Sequence, residues 1–502
     1  MSFEKKLEKR KKRFKNKPTV QDSKIKRINL VFSISKKKKD DLLQKKRNIK
    51  ISNSEESQKT VEEILKTLPE ISKQLSDPNC TNKLELVKDL RMMVSGKEDP
   101  PFDEIIKSGC VEDIVDFLEE DNNPELQFET AWVLSNISSG NSEQTKYIVE
   151  LDVISKFIRL LSSPNNSVLE QSIWALGNIA GDCVEFRDKI LSPDVFYQFL
   201  LIMESTNNKS ILTNTIWVIA NLVRKKPIPP LSLTNVAFPL FQQLMQSEDL
   251  SILVNSFWGL CYLSNGDLNN IQLILDLKIL PIIFENLKKN IPDLVVPSLR
   301  IIGNILSGDS EQAQEVIDQD GIKPLKLYLL DNKPKLRKEA CWAISNICAG
   351  TIEQIQEIYE NDLIDPLLLI LKQDELPIQI EACYSITSIM MYGNVDQINF
   401  LISKNVLEIF SELLNSTNFN ILNLILESLD HLFNYEITIK NLNNIDYEET
   451  NNFVTVVEEY GGMKAIEKIT QSQNQNLSKL AQNILTKYYY QEKNSKESIK
   501  NK

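Results

Sequence analysis

Five tryptophans are the residues of this 502-residue chain whose type and spacing most clearly indicate a chemistry. They are separated by 42, 43, 41 and 84 residues, and Arg300 stands in the one empty slot of the series. Four of them are followed four residues later by asparagine, and Trp258 is followed by Tyr262. The four pairs are Trp132 and Asn136, Trp174 and Asn178, Trp217 and Asn221, and Trp342 and Asn346. This common phase predicts an array of repeats of about 42 residues.

A step of four residues places both side chains of each pair on one face of a helix, about one turn apart. An indole ring binds cations on its face and offers an apolar wall to the stem of a lysine or arginine. A carboxamide both donates and accepts, so it can hold the backbone of an extended peptide. Nearby carboxylates would bind the charged tips. The pattern therefore predicts a groove for an extended, lysine-rich peptide.

The alternative is that these residues are core and turn residues of a solenoid, and a single pair would favour that interpretation. All five tryptophans in one phase favour the binding interpretation, because solenoid cores are usually built from Leu, Ile and Ala.

The elements that carry the pairs are amphipathic helices. In the segment Gln171–Asp182, the apolar residues Ile173, Leu176 and Ile179 follow the spacing of one helix face. A shorter apolar helix is predicted at 148–161, before a further helix at 168–180. An all-helical period of this length is typical of armadillo and HEAT repeats, which stack into an α-superhelix with a concave surface.

Glycine-containing turns follow most of the helices that carry the pairs. We expect these glycines to end the helices in the left-handed conformation. The turns are Ser138–Ser142, Ala180–Asp182, Asn265–Asp267, Ser307–Asp309 and Ala349–Thr351.

Charge divides the chain into a basic tail and an acidic body. Residues 1–50 carry a net charge of +15, and the rest carries −26. A tail with so high a charge and so few apolar residues is predicted to be disordered on its own and to fold when it binds a partner. A solvated tail, a nucleic-acid or membrane-surface patch, and a segment that binds its own acidic body are the open alternatives.

Composition argues against several classes of protein. The chain has a single histidine, His431, only 14 glycines, and seven cysteines without a CxxC pair. We therefore expect no enzyme, no catalytic residue, no metal site and no cofactor. The cysteines and His431 are predicted to be packing residues of a reduced protein that neither spans a membrane nor is secreted.

Several segments resemble the importin alpha family of nuclear import adaptors over nearly the whole chain. They are FETAWVLSNISSGNSEQTK (Phe128–Lys146), QSIWALGNIAGD (Gln171–Asp182), LRIIGNILSGD (Leu299–Asp309), KEACWAISNICAG (Lys338–Gly350) and KKDDLLQKKRN (Lys38–Asn48). The resemblance implies an all-α, right-handed α-superhelical armadillo-repeat solenoid with a disordered basic N-terminal domain that binds importin beta. It implies that domain at 1–55, a linker at 56–75, about ten repeats at 76–490 with a C-terminal cap that binds an export receptor, and a disordered tail at 491–502.

By position, the resemblance implies two binding sites for nuclear localisation signals. The major site comprises Trp132, Asn136, Thr145, Trp174, Asn178, Asp182, Asn214, Trp217 and Asn221. The minor site comprises Arg300, Glu339, Trp342, Asn346, Glu381 and Tyr384. Tyr384 and Ser388 stand where the family has Trp and Asn, so we expect this site to contribute less to bipartite signals.

Within the tail, Arg13 and the cluster Lys45, Lys46 and Arg47 match the importin-beta-binding domain, and the cluster resembles an internal signal. The resemblance implies an adaptor that links cargo with a lysine-rich signal to importin beta, and whose tail autoinhibits the groove. Implied partners also include an export receptor of the importin-beta class and nucleoporins, with shuttling between cytoplasm and nucleus and no membrane or nucleic-acid partner. The alternative is a generic armadillo scaffold for other proteins, although the acidic body argues against an acidic ligand.

Overall fold

The structure, a computed structural model, describes residues 61–95, 100–224, 226–443 and 453–490. Within these ranges it is helical and has no β-strand. The described residues form two compact units, which divide between Leu263 and Ser264. The expectation of an all-helical repeat array is therefore confirmed in each unit.

The expectations for the basic tail at 1–55, including Arg13, Lys45, Lys46 and Arg47, and for the segment 491–502 fall outside the described residues. They stay predictions.

The first unit consists of short helices that are followed at regular intervals by a longer one. Its helices are α1 Val61–Leu75, α2 Lys83–Val94, α3 Phe102–Lys107, α4 Cys110–Val115 with the 3₁₀ turn Asp116–Glu119, α5 Pro124–Ile137, α6 Ser142–Glu150, α7 Val153–Leu160, α8 Asn166–Asp182, α9 Val184–Ile190, α10 Pro193–Ser205, α11 Lys209–Leu222, α12 Leu231–Thr234, α13 Ala237–Leu244 and α14 Leu250–Leu263.

The second unit repeats the same order. Its helices are α15 Leu268–Asp276, α16 Leu280–Lys289, α17 Pro292–Leu306, α18 Ser310–Asp318, α19 Ile322–Leu329, α20 Pro334–Cys348, α21 Ile352–Glu360, α22 Ile364–Gln373, α23 Leu376–Tyr392, α24 Val395–Ser403, α25 Val406–Leu413, α26 Phe419–Asn443, α27 Phe453–Glu459, α28 Gly462–Ile469 and α29 Gln475–Ile484, which continues as the π-helical turn Leu485–Tyr489.

Each repeat ends with a long helix, called here its third helix. In the first unit the third helices are α2, α5, α8, α11 and α14, and each packs against the next. In the second unit they are α17, α20, α23, α26 and α29, and they stack in the same way. All five tryptophans lie on third helices, as their common phase predicted.

The first described helix belongs to the array rather than to a linker. Helix α1 buries Leu68, Ile71 and Leu75 and packs against α2 and α4. The sequence analysis assigned residues 56–75 to a linker. From Val61 onward these residues are instead the start of the first repeat, because their apolar residues follow helical spacing in spite of Pro69.

In seven repeats the turn between the first and second helices carries a residue in the left-handed conformation, whereas the turns between α9 and α10 and between α12 and α13 do not. Among the described residues with positive φ, only Asn290 lies elsewhere. The others are Gly109, Asp152, Lys278, Asp320, Asp362, Asn405 and Gly461. The single helix predicted at 148–161 is wrong for this reason, since Asp152 has φ 56° and separates α6 from α7.

The glycines that follow the third helices have another role than the one expected. None of Gly140, Gly266, Gly308 and Gly350 has a positive φ, so the expected left-handed helix ends are wrong. A Cβ built on Gly140, Gly308 or Gly350 would overlap the side-chain oxygen of the glutamine four residues later. Glycine is needed there to make room for that glutamine. The turn predicted at Ala180–Asp182 is also wrong, because α8 continues to Asp182.

These glutamines connect the first helices of successive repeats. In the second unit Gln312, Gln354 and Gln397 each close a capping box at the start of their helix. The side-chain nitrogen of each then donates to a backbone oxygen of the preceding first helix. These bonds run from Gln312 to Leu268 (3.0 Å), from Gln354 to Ser310 (2.8 Å) and from Gln397 to Ile352 (3.1 Å). We call this series the glutamine ladder.

No helix of the described ranges is both long enough and apolar enough to cross a lipid bilayer.

The crowding at Gly308 predicts a coupling with Gln312. An alanine at 308 would push the Gln312 side chain out of its bond to Leu268, so we expect Gly308→Ala to lower the free energy of unfolding by about 1–2 kcal/mol. In a Gln312→Ala background the same change should cost much less, because the obstacle is gone. Urea unfolding of the four proteins measures this. An equal cost in both backgrounds would instead support a backbone requirement for glycine.

Candidate functional site

Three consecutive third helices of the first unit carry a Trp–Asn pair, namely α5, α8 and α11. The asparagines are buried, and each donates from Nδ2 to a backbone oxygen of the preceding third helix. The bonds run from Asn136 to Val94 (3.2 Å), from Asn178 to Ser135 (3.0 Å) and from Asn221 to Gly177 (2.9 Å). We call this series the asparagine ladder.

These bonds show that the asparagines also hold the repeats together, which sequence reasoning missed. They fix each carboxamide with its nitrogen toward the preceding helix. The carboxamide oxygen is therefore turned the other way, and it is this acceptor that a ligand backbone could meet.

The tryptophans lie beside the amides as packed rings. The ring centroids of Trp174 and Trp217 are 5.7 Å apart, and both rings are half-buried. A Cβ on Gly177 would overlap the ring of Trp217, so this ring packs directly on the backbone of α8. The same glycine offers its oxygen to Asn221. The sequence signal for this contact was the small residue that directly precedes each asparagine.

Trp132, at the start of the series, is only 6% exposed. The Arg91 guanidinium lies 5.3 Å from its ring centroid, and Arg91 Nε is 2.5 Å from Glu129 Oε2. Burial raises the pKa of Glu129, while the positive charge of Arg91 opposes that rise. A cation of the chain itself, Arg91, thus lies over the ring of Trp132.

Asp182 lies at the C-terminal end of α8, close to the repeat before it. Ser142 Oγ donates to Asp182 Oδ1 over 3.0 Å, which brings the carboxylate to the start of α6, the helix that carries Thr145. Thr145 itself is buried, and its hydroxyl lies 3.1 Å from the oxygen of Ser138 and 3.0 Å from that of Asn141. The structure brings these two predicted residues to the same edge, but it directs the hydroxyl of Thr145 to the backbone.

Asn214 is on α11 and lies beside the N-terminal end of α8, opposite the end that carries Asp182. Its Nδ2 donates to Glu170 Oε1 over 3.1 Å, and Ser210 Oγ donates to the same oxygen over 2.5 Å. Glu170 was not identified from the sequence. Its signal was the step of four residues that joins Glu170, Trp174, Asn178 and Asp182 in one stripe along α8.

The fifth repeat has an aromatic pair in place of the Trp–Asn pair. The rings of Trp258 and Tyr262 are 5.6 Å apart, and the Arg224 guanidinium lies 5.8 Å from the Tyr262 ring. This end of the first unit therefore has two tilted aromatic rings in contact and a buried arginine.

In the second unit, α17 and α20 carry four of the six residues predicted for the minor site. Arg300 donates to Glu339 Oε1 from Nε (3.0 Å) and from Nη2 (2.6 Å), so the carboxylate has a fixed cationic partner. Asn346 Nδ2 donates to the oxygen of Gly303 over 3.0 Å, and the ring of Trp342 packs on the same glycine. This rung has the geometry of the Trp217 and Asn221 rung.

The next rung is different in kind. Glu381 is 1% exposed and Tyr384 is half-buried on α23. Ser388 takes the place of the asparagine and is also buried. Its side chain is too short to continue the asparagine ladder, so α23 keeps an aromatic ring and a carboxylate but has no ladder amide.

The cysteines behave as packing residues. Cys110, Cys261, Cys341, Cys348 and Cys383 are buried, and all seven are free thiols. Burial raises the pKa of Cys110 to about 11 and that of Cys348 to about 12, so neither is a reactive thiolate near neutral pH. Through the described ranges, no three or more His, Cys, Asp or Glu side chains are grouped to hold a metal ion.

Comparison with known families finds matches both for the repeats and for the N-terminal segment of this chain. The family described as Armadillo/beta-catenin-like repeat matches residues 98–139, 141–181 and 309–349, and the family described as Atypical Arm repeat matches residues 451–501. The family described as Importin beta binding domain matches residues 10–88, and curated importin alpha subunits align with the repeats. Together these matches support the importin alpha family for this chain.

Among its relatives, importin subunit alpha-3 of Arabidopsis thaliana is 34% identical over 324 residues, which are 63% of this chain and 61% of the relative. Importin subunit alpha-B of Dictyostelium discoideum is 38% identical over 308 residues, 61% of this chain and 60% of the relative. The chain thus spans about three fifths of the length of these relatives. The crystal structure of an engineered protein is 22% identical to this chain and matches it with a TM-score of 0.69 over 84% of this chain and 98% of the engineered one, which supports the fold.

The contact between the Trp217 ring and Gly177 predicts that a larger residue at position 177 destabilises the protein. Gly177→Val would displace the ring and weaken the bond from Asn221, so we expect a loss of about 1–3 kcal/mol in the free energy of unfolding. Tryptophan fluorescence and urea unfolding measure both effects. Ala220→Val, one position before Asn221, tests the same requirement on α11. An unchanged emission spectrum in Gly177→Val would contradict the proposed contact.

Proposed function

We propose that this chain is a nuclear protein import adaptor that binds lysine-rich nuclear localisation signals along the Trp and Asn faces of α5, α8 and α11. The observation that carries the proposal is the asparagine ladder. It fixes three carboxamides by their nitrogens on the preceding third helices, each four residues after an indole ring, and Asp182 follows Asn178 by four residues on α8. The resulting face offers acceptors to peptide N–H groups, walls to lysine stems and a negative charge to an ammonium group.

The same proposal gives each residue predicted for the major site a role in binding rather than in catalysis. Trp132, Trp174 and Trp217 would flank aliphatic stems, and Asn136, Asn178 and Asn221 would hold the ligand backbone. Asp182 would pair with one lysine tip, and Asn214 would contact the ligand from the opposite end of α8. Thr145 would act through the local backbone, since its hydroxyl is bonded there.

The partner that transports the complex is proposed to be importin beta. The match of residues 10–88 to the Importin beta binding domain supports this role for the N-terminal segment. An export receptor of the importin-beta class and nucleoporins would complete a cycle between cytoplasm and nucleus. The tail cluster of Lys45, Lys46 and Arg47 would occupy the groove when importin beta is absent, since it has the charge of a ligand.

Binding of a fluorescent lysine-rich signal peptide of about ten residues, without a second basic cluster, tests the groove. In a variant lacking residues 1–55, we expect Asp182→Lys or Trp174→Ala to cost about 2 kcal/mol or more of binding free energy. The cause would be a repelled ammonium group in the first case and a lost wall in the second. Fluorescence anisotropy measures the affinities.

Tyr197→Ala is the matched aromatic control, because Tyr197 is 62% exposed on α10 and lies off the third helices. It should leave the affinity unchanged. A bipartite peptide should gain little from its second cluster, since Tyr384 and Ser388 replace the family's Trp and Asn. No binding by the shortened chain would leave only an armadillo scaffold for other partners.

The basic tail predicts that the affinity of the full chain for a signal peptide depends on importin beta. The full chain should bind the same peptide about tenfold or more weakly than the variant lacking residues 1–55, because the tail competes within one molecule. Addition of importin beta should restore the affinity of the full chain and leave that of the variant unchanged. Equal affinities of the two chains without importin beta would contradict autoinhibition.

A further inference from the structure

The turn Asn265–Asp267 is a motif of the sequence to which the proposed function gives no role. Asn265 is the only asparagine of the chain that is followed directly by glycine. Turns at the same place in other repeats have serine or alanine before the glycine, namely Ser139, Ser307 and Ala349. Because glycine has no Cβ, its main-chain nitrogen can approach the side chain of the residue before it more closely than any other residue allows.

The Asn265 side chain has no fixed role in the fold. It lies in a turn, outside the helices, and is half-buried. Within the described ranges its carboxamide forms no hydrogen bond with another residue. The asparagines Asn141 and Asn394 differ, because their side chains accept N–H groups at the starts of α6 and α24 and the residue after each has a Cβ. The carboxamide of Asn265 is therefore free to rotate and is reached by water.

This turn connects two contacts of the second unit. On one side, Ser264 Oγ accepts from Nδ2 of the buried Asn304 over 2.9 Å. On the other side, Asp267 Oδ1 accepts from two backbone N–H groups at the start of α15, over 3.0 and 3.1 Å, and so caps that helix. Only Asn265 and Gly266 lie between the two contacts, so a change in backbone length there must strain one of them.

We propose that Asn265 is a site of spontaneous deamidation, in which solvent water is the co-reactant. The main-chain nitrogen of Gly266, after loss of its proton to hydroxide, attacks Cγ of Asn265, and the new C–N bond expels ammonia. Water then opens the cyclic imide. Opening at Cγ yields aspartate, whereas opening at the main-chain carbonyl carbon yields isoaspartate, whose backbone runs through the former side chain and is one carbon longer.

The two products differ in their effect on the fold. Aspartate at 265 adds a negative charge near the N-terminal end of α15, where such a charge is stabilised. Isoaspartate lengthens the backbone between Ser264 and Asp267, so we expect it to weaken both the cap of α15 and the bond from Asn304. Deamidation would therefore mark old molecules and loosen the second unit. This chemistry is independent of the proposed function, because no step involves a ligand.

Peptide mapping by mass spectrometry tests the proposal on the full chain, kept folded in buffers of rising pH. Deamidation raises the mass of the fragment that contains Asn265, and isoaspartate is distinguished from aspartate by its fragmentation. Asn141 and Asn394 are internal controls in the same molecule. Asn265→Ser is the control variant, since Ser307 stands at the same place one repeat later. A synthetic peptide with the sequence of residues 260–270 gives the rate without a fold.

We expect Asn265 in the folded chain to react at least about tenfold faster than Asn141 or Asn394, which corresponds to a barrier lower by about 1.4 kcal/mol. The rate should rise with pH, because the attacking nitrogen must lose its proton, and should lie within about tenfold of that of the peptide. Urea unfolding of aged samples should show a less stable fraction equal to the fraction of isoaspartate. Aged Asn265→Ser should lack this fraction, and Asn265→Asp should be as stable as the unmodified chain.

A folded chain in which Asn265 reacts no faster than the internal controls would overturn the proposal, because the fold would then hold the carboxamide away from the Gly266 nitrogen. Reaction only in urea, or a rate that does not change with pH, would overturn it as well. If aged chain that contains isoaspartate unfolded like aged Asn265→Ser, the expected effect on the second unit would be wrong. The internal controls decide the first point even if Asn265→Ser does not fold.

Discussion

The asparagine side chain that donates to the backbone of the preceding third helix is the interaction on which the rest depends. A buried carboxamide must find partners for its polar atoms, and the backbone oxygens of Val94, Ser135 and Gly177 provide them at 2.9–3.2 Å. One bond then does two things. It sets the spacing of successive third helices, and it determines which atom of each amide faces away from them.

The small residues before the asparagines follow from the same requirement. The amide of Asn221 reaches its acceptor on Gly177, and the ring of Trp217 packs on that residue as well. Gly303 serves Asn346 and Trp342 in the same way in the second unit. The indole rings are therefore placed by backbone contact, which leaves them little freedom to rotate. Rigid, preorganised walls reduce the entropy lost when a flexible side chain binds between them.

Much of this could be predicted from the sequence, because tryptophan is rare and its phase is easy to measure. The phase of Trp132, Trp174 and Trp217 was sufficient to locate the third helices and the predicted face. The left-handed turn at Asp152 could not be found this way, since aspartate gives only a weak signal for that conformation and the apolar spacing continues through it.

Other features escaped because their causes lie in a neighbouring repeat. The glycine at 308 is explained by a glutamine whose partner is Leu268, about one period earlier, so no local rule could assign it. Glu170 lies four residues before Trp174, which the sequence shows, but the hydrogen bonds that hold its carboxylate come from Ser210 and Asn214 of the next repeat. Periodicity predicts where helices lie, whereas contacts between repeats determine what each side chain does there.

Within the second unit, the glutamine ladder and the bond from Asn346 end on main-chain oxygens. A main-chain oxygen is the same in every amino acid. A repeat can therefore dock on a neighbour of different sequence without a matched change in that neighbour's side chains. Whole repeats can be duplicated, exchanged or lost by recombination and still be bonded at the new junction. The surface residues of each repeat are then free to diverge one repeat at a time, so an array held in this way can change what it recognises without changing how it is built.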